Sequence, residues 1–334
     1  MSALELLRIR LLEQAWFTTG LLPLLPRRLR WGLRRAYLAP VDLADRFLGR
    51  RDDSLPNKAD TYTGGVRDFA ASGETLRDAL REVAGLTPSS HVLDVGCGMG
   101  RLAIPMAGYL DAEGGYEGLD IVPDGISWCT ANVRAPHGNV RFTLADVHNK
   151  EYHPEGRVPA REYRFPYPDD TFDVAVLISV FTHMLPEEVD NYLGELARVL
   201  KPGGRCFASY HLLPPPEVIA RAKAPVQRSF RYAMGPARVS SRKVPELAVA
   251  YQEQYVRDLY RAHGFEDEML LSRGLWSGCG FTPLWPHDSG LAGQDTLVAT
   301  VRAKGPVRNG VDAGRAEAGR AEVGRAEAGR AEAS

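Results

Sequence analysis

Cysteine is scarce. The four thiols, Cys97, Cys129, Cys206 and Cys279, lie far apart in 334 residues and form no C-x-x-C pair. That argues against a zinc cluster or a disulfide framework, and it leads us to expect a cytoplasmic location. An excess of one charge is also missing: 41 Lys and Arg stand against 42 Asp and Glu, a formal net charge of −1. No global field therefore draws the chain to nucleic acid. Long apolar runs are lacking too. The richest, Ala15 to Leu22, is followed by Pro23 and Pro26 and is too short to span a bilayer. Glu5 and Glu13 lie early and no small-residue cleavage site is clear, which fits a secretory signal poorly. No Ser/His/Asp order and no metal-binding histidine spacing stands out. What remains is ordinary globular composition, 44% apolar and 25% charged, with room for one large or two modest domains.

The most informative stretch is His91-Val92-Leu93-Asp94-Val95-Gly96-Cys97-Gly98-Met99-Gly100. Val92, Leu93 and Val95 form the apolar run expected of an interior parallel strand. Gly96, Gly98 and Gly100 then remove every second Cβ, so a ligand can lie against the bare backbone. A helix is expected to begin near Arg101. A turn of this kind, at the carboxyl edge of a parallel sheet, is where α/β folds bind ligands. The spacing is not the Gly-x-Gly-x-x-Gly of a dinucleotide site. It is Asp-x-Gly-x-Gly-x-Gly, which resembles motif I of the class I S-adenosylmethionine (SAM)-dependent methyltransferases.

Other stretches strengthen the resemblance. Tyr116 to Ile121 reads as a second strand ending in Asp120, some twenty residues past Gly100. The residues leave Asp120 either as a ribose ligand or as the N-cap of a helix from Pro123. Val140 to Asp146 alternates like a third strand and again ends in an acid. Phe165-Pro166-Tyr167-Pro168-Asp169-Asp170-Thr171-Phe172-Asp173 resembles the family's approach to its fourth strand, Val174 to Ser179. Pro186 to Leu200 has helical apolar spacing, with Pro186 in the first turn. Glu195 to Gly204 is similar to the family's R-x-L-K-P-G-G signature, and Arg205 to Tyr210 follows as a fifth strand. The resemblance covers residues 89–210.

It implies a doubly wound, seven-stranded, mostly parallel α/β sheet with an antiparallel last strand, which the alternation of strand and helix also suggests. It implies SAM as cofactor. Three acids would meet its polar parts: Asp94 the ammonium, Asp120 the ribose, Asp146 the adenine amine. Gly96, Cys97, Gly98, Gly100, Ile121, Val147 and Ser179 complete the expected cofactor set. The expected divisions are a helical cap and lead-in over 1–88, a SAM-binding domain over 89–303 with insertions at 147–165 and 211–245, and a low-complexity tail over 304–334. The tail repeats Gly-Arg-Ala-Glu-Ala with too little apolar content to pack, and it is read as disordered.

The family's chemistry is in-line displacement of an activated methyl group, so a base matters only where the acceptor must lose a proton. His183 and His211 each follow a strand at the ligand edge and are the candidate bases; both also admit a structural role. Tyr152, His153 and Tyr163, in the long polar connection from Asn149, read either as acceptor-pocket residues or as part of a solvated insertion, and Tyr210 and Trp276 are weaker pocket candidates. Ser179-Val180-Phe181-Thr182 stands where base- and amide-directed methyltransferases carry an Asn-Pro-Pro-Tyr type motif, which disfavours a nucleic-acid target. The expected acceptor is a small molecule or a saccharide- or lipid-linked compound, taken at oxygen. SAM-fold chemistry without methylation, or a non-catalytic SAM-binding subunit, remains as an alternative. Residues 1–50, with Trp16, Phe17 and the arginines from Arg27 to Arg35, read either as a packed cap or as an interfacial helix on anionic lipid. The basic 211–245 segment reads as a lid or a solvated face. A helix is expected over Val249 to His263, and Glu268 to Leu271 and Thr296 to Val301 as the last strands.

Overall fold

A computed structural model describes residues 27–49, 52, 54–61, 69–150, 152–222, 229–285 and 291–303. The chain divides into two units, Met1–Arg302 and Ala303–Ser334. Residues 1–26 and the repeat tail, with the expectations placed on them, lie outside the described residues. The first unit opens with helices α1 (Arg27–Phe47) and α2 (Phe69–Val83). It continues through β1 (His91–Val95), α3 (Ala103–Tyr109), β2 (Gly115–Asp120), α4 (Pro123–Asn132) and β3 (Val140–Leu144). Two short strands, β4 (Val147–His148) and β5 (Val158–Pro159), precede β6 (Phe172–Leu177), α5 (Pro186–Val199) and β7 (Leu200–Tyr210). Next come β8 (Leu212–Leu213), α6 (Pro216–Ala222), β9 (Tyr232–Met234), β10 (Ala237–Val239), β11 (Val249–Gln252) and α7 (Glu253–Ala262). The antiparallel pair β12 (Phe265–Ser272) and β13 (Asp295–Val301) completes the sheet.

The main sheet has seven strands in the order β12-β13-β7-β6-β1-β2-β3. All run parallel except β13, which is antiparallel to both β12 and β7. The expected seven-stranded, doubly wound α/β fold is therefore present. Strand alternation feeds two cores, one per face. Leu93, Val95, Ala175 and Leu177 pack with Leu193 and Leu196 of α5 on one face. Val92, Val174, Val176 and Phe207 pack with Leu76, Leu80 and Met106 on the other. Each fully buried Leu or Val of this kind contributes about 1.5–3 kcal/mol over its exposed state. The chain winds from β1 outward through β2 to β3, then crosses back to β6 and β7. That reversal leaves a crevice between the carboxyl ends of β1 and β6.

Three expectations change. The fifth strand, expected over Arg205 to Tyr210, begins earlier and takes in Lys201 to Gly204 as the first part of β7. Val249–Gln252 is a strand, and the expected helix begins only at Glu253. Val249, Ala250 and Tyr251 are buried, Tyr251 pairing with both Leu212 and Ala237. Their apolar run merges in sequence with the amphipathic helix that follows. The 211–245 segment supplies β8, β9 and β10 of a second, four-stranded sheet in the order β8-β11-β10-β9.

A buried acid ties helix α1 to the segment that follows it. Asp42 accepts the Lys58 and Ala59 backbone N–H groups, both at 2.9 Å. No helix among the described residues is long and apolar enough to cross a membrane.

Candidate functional site

The crevice begins at Gly96, directly after β1. Gly96 has φ +79°, and a Cβ there would stand 2.4 Å from Val180 Cγ2. Only glycine meets both conditions, so the backbone is bare where the two strand ends meet. Asp120 closes the neighbouring corner. Its Oδ2 accepts Gly98 N–H at 2.7 Å and its Oδ1 accepts Val122 N–H at 2.8 Å. Burial pushes this carboxyl up, and the backbone N–H bonds oppose the rise. It does not cap α4: Val122 occupies that position, with no side-chain bond. The carboxylate instead ties the glycine turn to the corner between β2 and α4.

A cleft with about 240 Å³ of interior space opens from here, lined in part by Gly96, Asp120, Ile121, Val147 and Ser179. These five belong to the expected cofactor set. Ser179 has φ +61°, unusual for a residue with a side chain. Its N–H donates to Ser209 Oγ at 2.7 Å, and both serine hydroxyls donate to Gln294 Oε1, at 3.1 and 2.7 Å. The strained turn is thus held from β7 and from the residue preceding β13. Gln294 carries no sequence signal, because a lone glutamine before a strand resembles any other.

Five expected cofactor residues do not line the cleft: Asp94, Cys97, Gly98, Gly100 and Asp146. Asp94 is buried and accepts the Tyr116 hydroxyl at 2.5 Å. Burial drives its carboxyl up to about 6, against the pull of that bond and of Arg101. It braces β1 against β2. Cys97 is buried, and burial pushes its thiol up. Gly98 serves through the N–H held by Asp120. Gly100, at φ +78°, would bring a Cβ to 3.0 Å from Cys129 Sγ. Asp146 is claimed by Arg157, whose Nε lies at 2.5 Å and whose N–H lies at 3.1 Å; the side-chain bond holds its carboxyl low.

The other end of the cleft gathers Tyr152, His183, Met184, Glu188 and Tyr192. His183 sits in a single 3-10 turn after β6. Its Nδ1 lies 3.0 Å from the Glu246 carbonyl oxygen. A carbonyl only accepts, so Nδ1 carries the hydrogen and Nε2 carries the lone pair of the neutral ring. The Tyr152 ring meets the imidazole edge-on at 5.5 Å. Glu188 accepts Leu185 N–H at 2.6 Å at the start of α5, and burial pushes its carboxyl up. Its spacing after Pro186 marks a helix start in the sequence; that it also faces a cleft does not show there.

His211 departs from expectation. It lies outside the cleft lining, packed against Phe230 and Trp276 at 5.3 and 4.9 Å between ring centroids. Burial lowers it to about 4, with its Nδ1 donating to the Val249 carbonyl at 3.3 Å. His153 is tied by Nδ1 to the Val147 carbonyl, and Trp276 donates to buried Asp295 at 2.7 Å. The Tyr210 hydroxyl pairs with that of Tyr260 at 3.1 Å inside the core. Tyr163 also lies off the lining; it packs against the core beside Phe165, 6.2 Å away.

Residues 92–204 match the methyltransferase domain family. The chain is 30% identical over 160 residues to the O-methyltransferase cnsE of Penicillium expansum, covering 45% of this chain and 51% of that protein. It is 34% identical over 143 residues to the 27-O-demethylrifamycin SV methyltransferase of Amycolatopsis mediterranei, covering 42% and 45%. The chain thus spans about half the length of the curated relatives it matches. Among solved structures, the PH0226 protein of Pyrococcus horikoshii superposes with a TM-score of 0.46 at 18% identity, over 78% of this chain and 98% of that one.

Proposed function

We propose, on the premise that residues 92–204 form a class I SAM-dependent methyltransferase domain, that this chain methylates a small acceptor at oxygen within the cleft. The residues fit the cofactor. Gly96 offers bare backbone where a Cβ would strike Val180. Asp120 places a buried carboxylate on the cleft wall, and each of its oxygens has spent one acceptor site on a backbone N–H. The remaining lone pairs suit the two hydroxyls of a ribose. Ile121, Val147 and Ser179 would flank the adenosyl group, while Asp94, Cys97, Gly98, Gly100 and Asp146 shape the turns that carry it.

When bound, SAM supplies a methyl group on a sulfonium, whose transfer breaks the C–S bond, forms the O–C bond and leaves a neutral thioether. The chain's own contribution is placement and proton removal. The observation that carries this reading is His183. The Glu246 carbonyl holds its Nδ1–H, which orients Nε2 as the base that takes the hydroxyl proton. Glu188, across the cleft, can accept a second hydrogen bond from the acceptor with the carboxyl oxygen that does not bind Leu185. Holding the acceptor at attack distance does the rest.

The reading extends to an acceptor carried on a lipid or saccharide, met by a cytoplasmic protein with peripheral membrane contact through residues 1–50. In support, α1 approaches the rim of the cleft: Arg35 lies 3.8 Å from Asp124, two residues beyond cleft-lining Val122.

Two assays test the proposal. Ligand at a hundred times its dissociation constant adds about 2.7 kcal/mol of stability. SAM should therefore raise the melting temperature of the wild type and fail to raise that of Asp120→Ala. Methyl-labelled SAM offered with hydroxylated acceptors should then give labelled ether or ester product, much reduced in His183→Asn. A folded wild-type protein, free of carried-over ligand, that shows no rise at millimolar SAM would overturn the proposal.

A further inference from the structure

Three hydrogen bonds converge just past the carboxyl end of β6. Ser179 lines the cleft there in a left-handed turn, at φ +61°. Its N–H donates to Oγ of buried Ser209 at 2.7 Å. The Ser209 hydroxyl passes its own hydrogen to Gln294 Oε1 at 2.7 Å, and the Ser179 hydroxyl donates to that same oxygen at 3.1 Å. An amide oxygen has two lone pairs and no hydrogen, so Gln294 Oε1 is filled and both hydroxyl hydrogens are committed. A serine hydroxyl ordinarily turns to donate or to accept. Ser179 Oγ keeps only lone pairs, so towards the cleft it can only accept. Gln294, which imposes this, lies 115 positions further along the chain and outside residues 92–204.

Position selects the donor. The strand ends cross the crevice in the order β6, β1, β2, β3. With ribose at Asp120, on β2, the rest of SAM extends both ways. Towards β3 the lining is apolar at Ala145 and Val147, which suits a flat ring. Towards β6 it passes bare Gly96 and reaches Ser179, two strand spacings or about 10 Å from Asp120. Ser179 therefore flanks the adenosyl group on the side where the amino-acid tail leaves it. That tail carries a carboxylate, which needs donors, and an ammonium, which only donates. A hydroxyl with its hydrogen committed fits the ammonium alone. Asp94, the acid expected to meet that ammonium, lies off the lining and holds Tyr116.

We infer that Gln294 is a positioning residue of the cofactor site: it fixes the Ser179 hydroxyl as an acceptor, and that hydroxyl takes the ammonium of SAM. This inference rests on the cofactor part of the reading above, and not on the acceptor or the base. The test is calorimetric titration of the full chain with S-adenosylhomocysteine and with its deaminated analogue, which keeps the adenosyl group, thioether and carboxylate but lacks the ammonium. The wild type should prefer S-adenosylhomocysteine by about tenfold or more, as expected for a hydrogen bond to a charged group. Ser179→Ala and Gln294→Leu should lose most of that preference while binding the deaminated analogue as the wild type does. Gln294→Glu keeps an acceptor oxygen for both hydroxyls and should keep the preference. A residue that merely props the turn would, when replaced, weaken both ligands alike. That result, a wild type that binds the two ligands equally, variants that retain the full preference, or a Gln294→Glu that behaves like Gln294→Leu would each overturn the inference and leave the cofactor site standing. A wild type that binds neither ligand would overturn the cofactor reading and this inference together.

Discussion

The two halves of the cleft are built differently. The wall at Gly96 and Asp120 lies on β1 and β2, five- and six-residue strands with mostly buried residues, joined through one short helix. The opposite end depends on the segment that carries the second sheet, whose strands are two to four residues long. His183 is held by Glu246, which lies in the 3-10 turn between β10 and β11 and is 63 positions away in the chain. The first wall is a local device: backbone conformation, one glycine and one acid. The second exists only once distant segments have met. The difference teaches that the wall at Gly96 and Asp120 depends on residues close in sequence, while the His183 end depends on contacts between distant segments.

The largest effect is expected at Gly96. Gly96→Ala places a Cβ 2.4 Å from Val180 in a left-handed conformation. It should cost about 2–4 kcal/mol and abolish the SAM-induced rise in melting temperature. An unchanged rise would break the local picture of the cofactor wall. Asp120→Ala comes next. It leaves the Gly98 and Val122 N–H groups without their buried acceptor, at about 2 kcal/mol, and it too should erase the rise.

The His183 end should behave in the opposite way. His183→Asn should lower kcat by about 10² or more while the SAM-induced rise stays as in the wild type. His211→Phe should change activity less than about threefold, since His211 lies off the cleft lining; a loss equal to that of His183→Asn would collapse the distinction between the two histidines. Glu188→Gln keeps an oxygen for the Leu185 N–H but offers the cleft an amide donor. It should raise KM severalfold, with stability changed by less than about 0.5 kcal/mol.

A further effect lies in pH dependence. Burial raises the Asp94 carboxyl from 3.8 to about 6. Its contribution to stability is therefore complete below pH 3.8 and is lost as pH climbs through 6. The ionised, buried form is the costly one. The unfolding free energy of the wild type from denaturant titration, relative to Asp94→Asn, should fall by on the order of 2 kcal/mol between pH 4 and pH 7. A flat difference would mean that Asp94 stays ionised throughout, and that Arg101 and Tyr116 offset its burial.

Most of the main sheet was legible because its signals are local. Val92 to Val95 is apolar and short, the turn is rich in glycine, and α5 repeats its apolar residues at helical spacing between a proline and a glycine pair. The errors fall where the physics is not local. Val249 to Gln252 reads as the start of a helix because the residues that bury it, Leu212 and Ala237, are separated from it in sequence. The basic stretch at 211–245 reads as a lid or a solvated face, yet it buries Leu212, Phe230, Ala237 and Val239. The two candidate bases looked alike in sequence, each a histidine just past a strand. One packs against Phe230 and Trp276 away from the cleft lining, and the other is held by the Glu246 carbonyl from the 3-10 turn before β11.

The sequence by itself therefore determined the alternation of strands and helices, the glycine turn after β1 and the acid at the end of β2. Those features follow from side-chain period and backbone freedom within a few residues. Only the tertiary structure decided that Asp94 and Asp146 are held by Tyr116 and Arg157, that His183 and Glu188 share a cleft, and that Ser179 and Ser209 both meet Gln294. Each of those outcomes depends on which distant group arrives to satisfy a charge, a hydrogen bond or an apolar face, and no short window of residues contains that information.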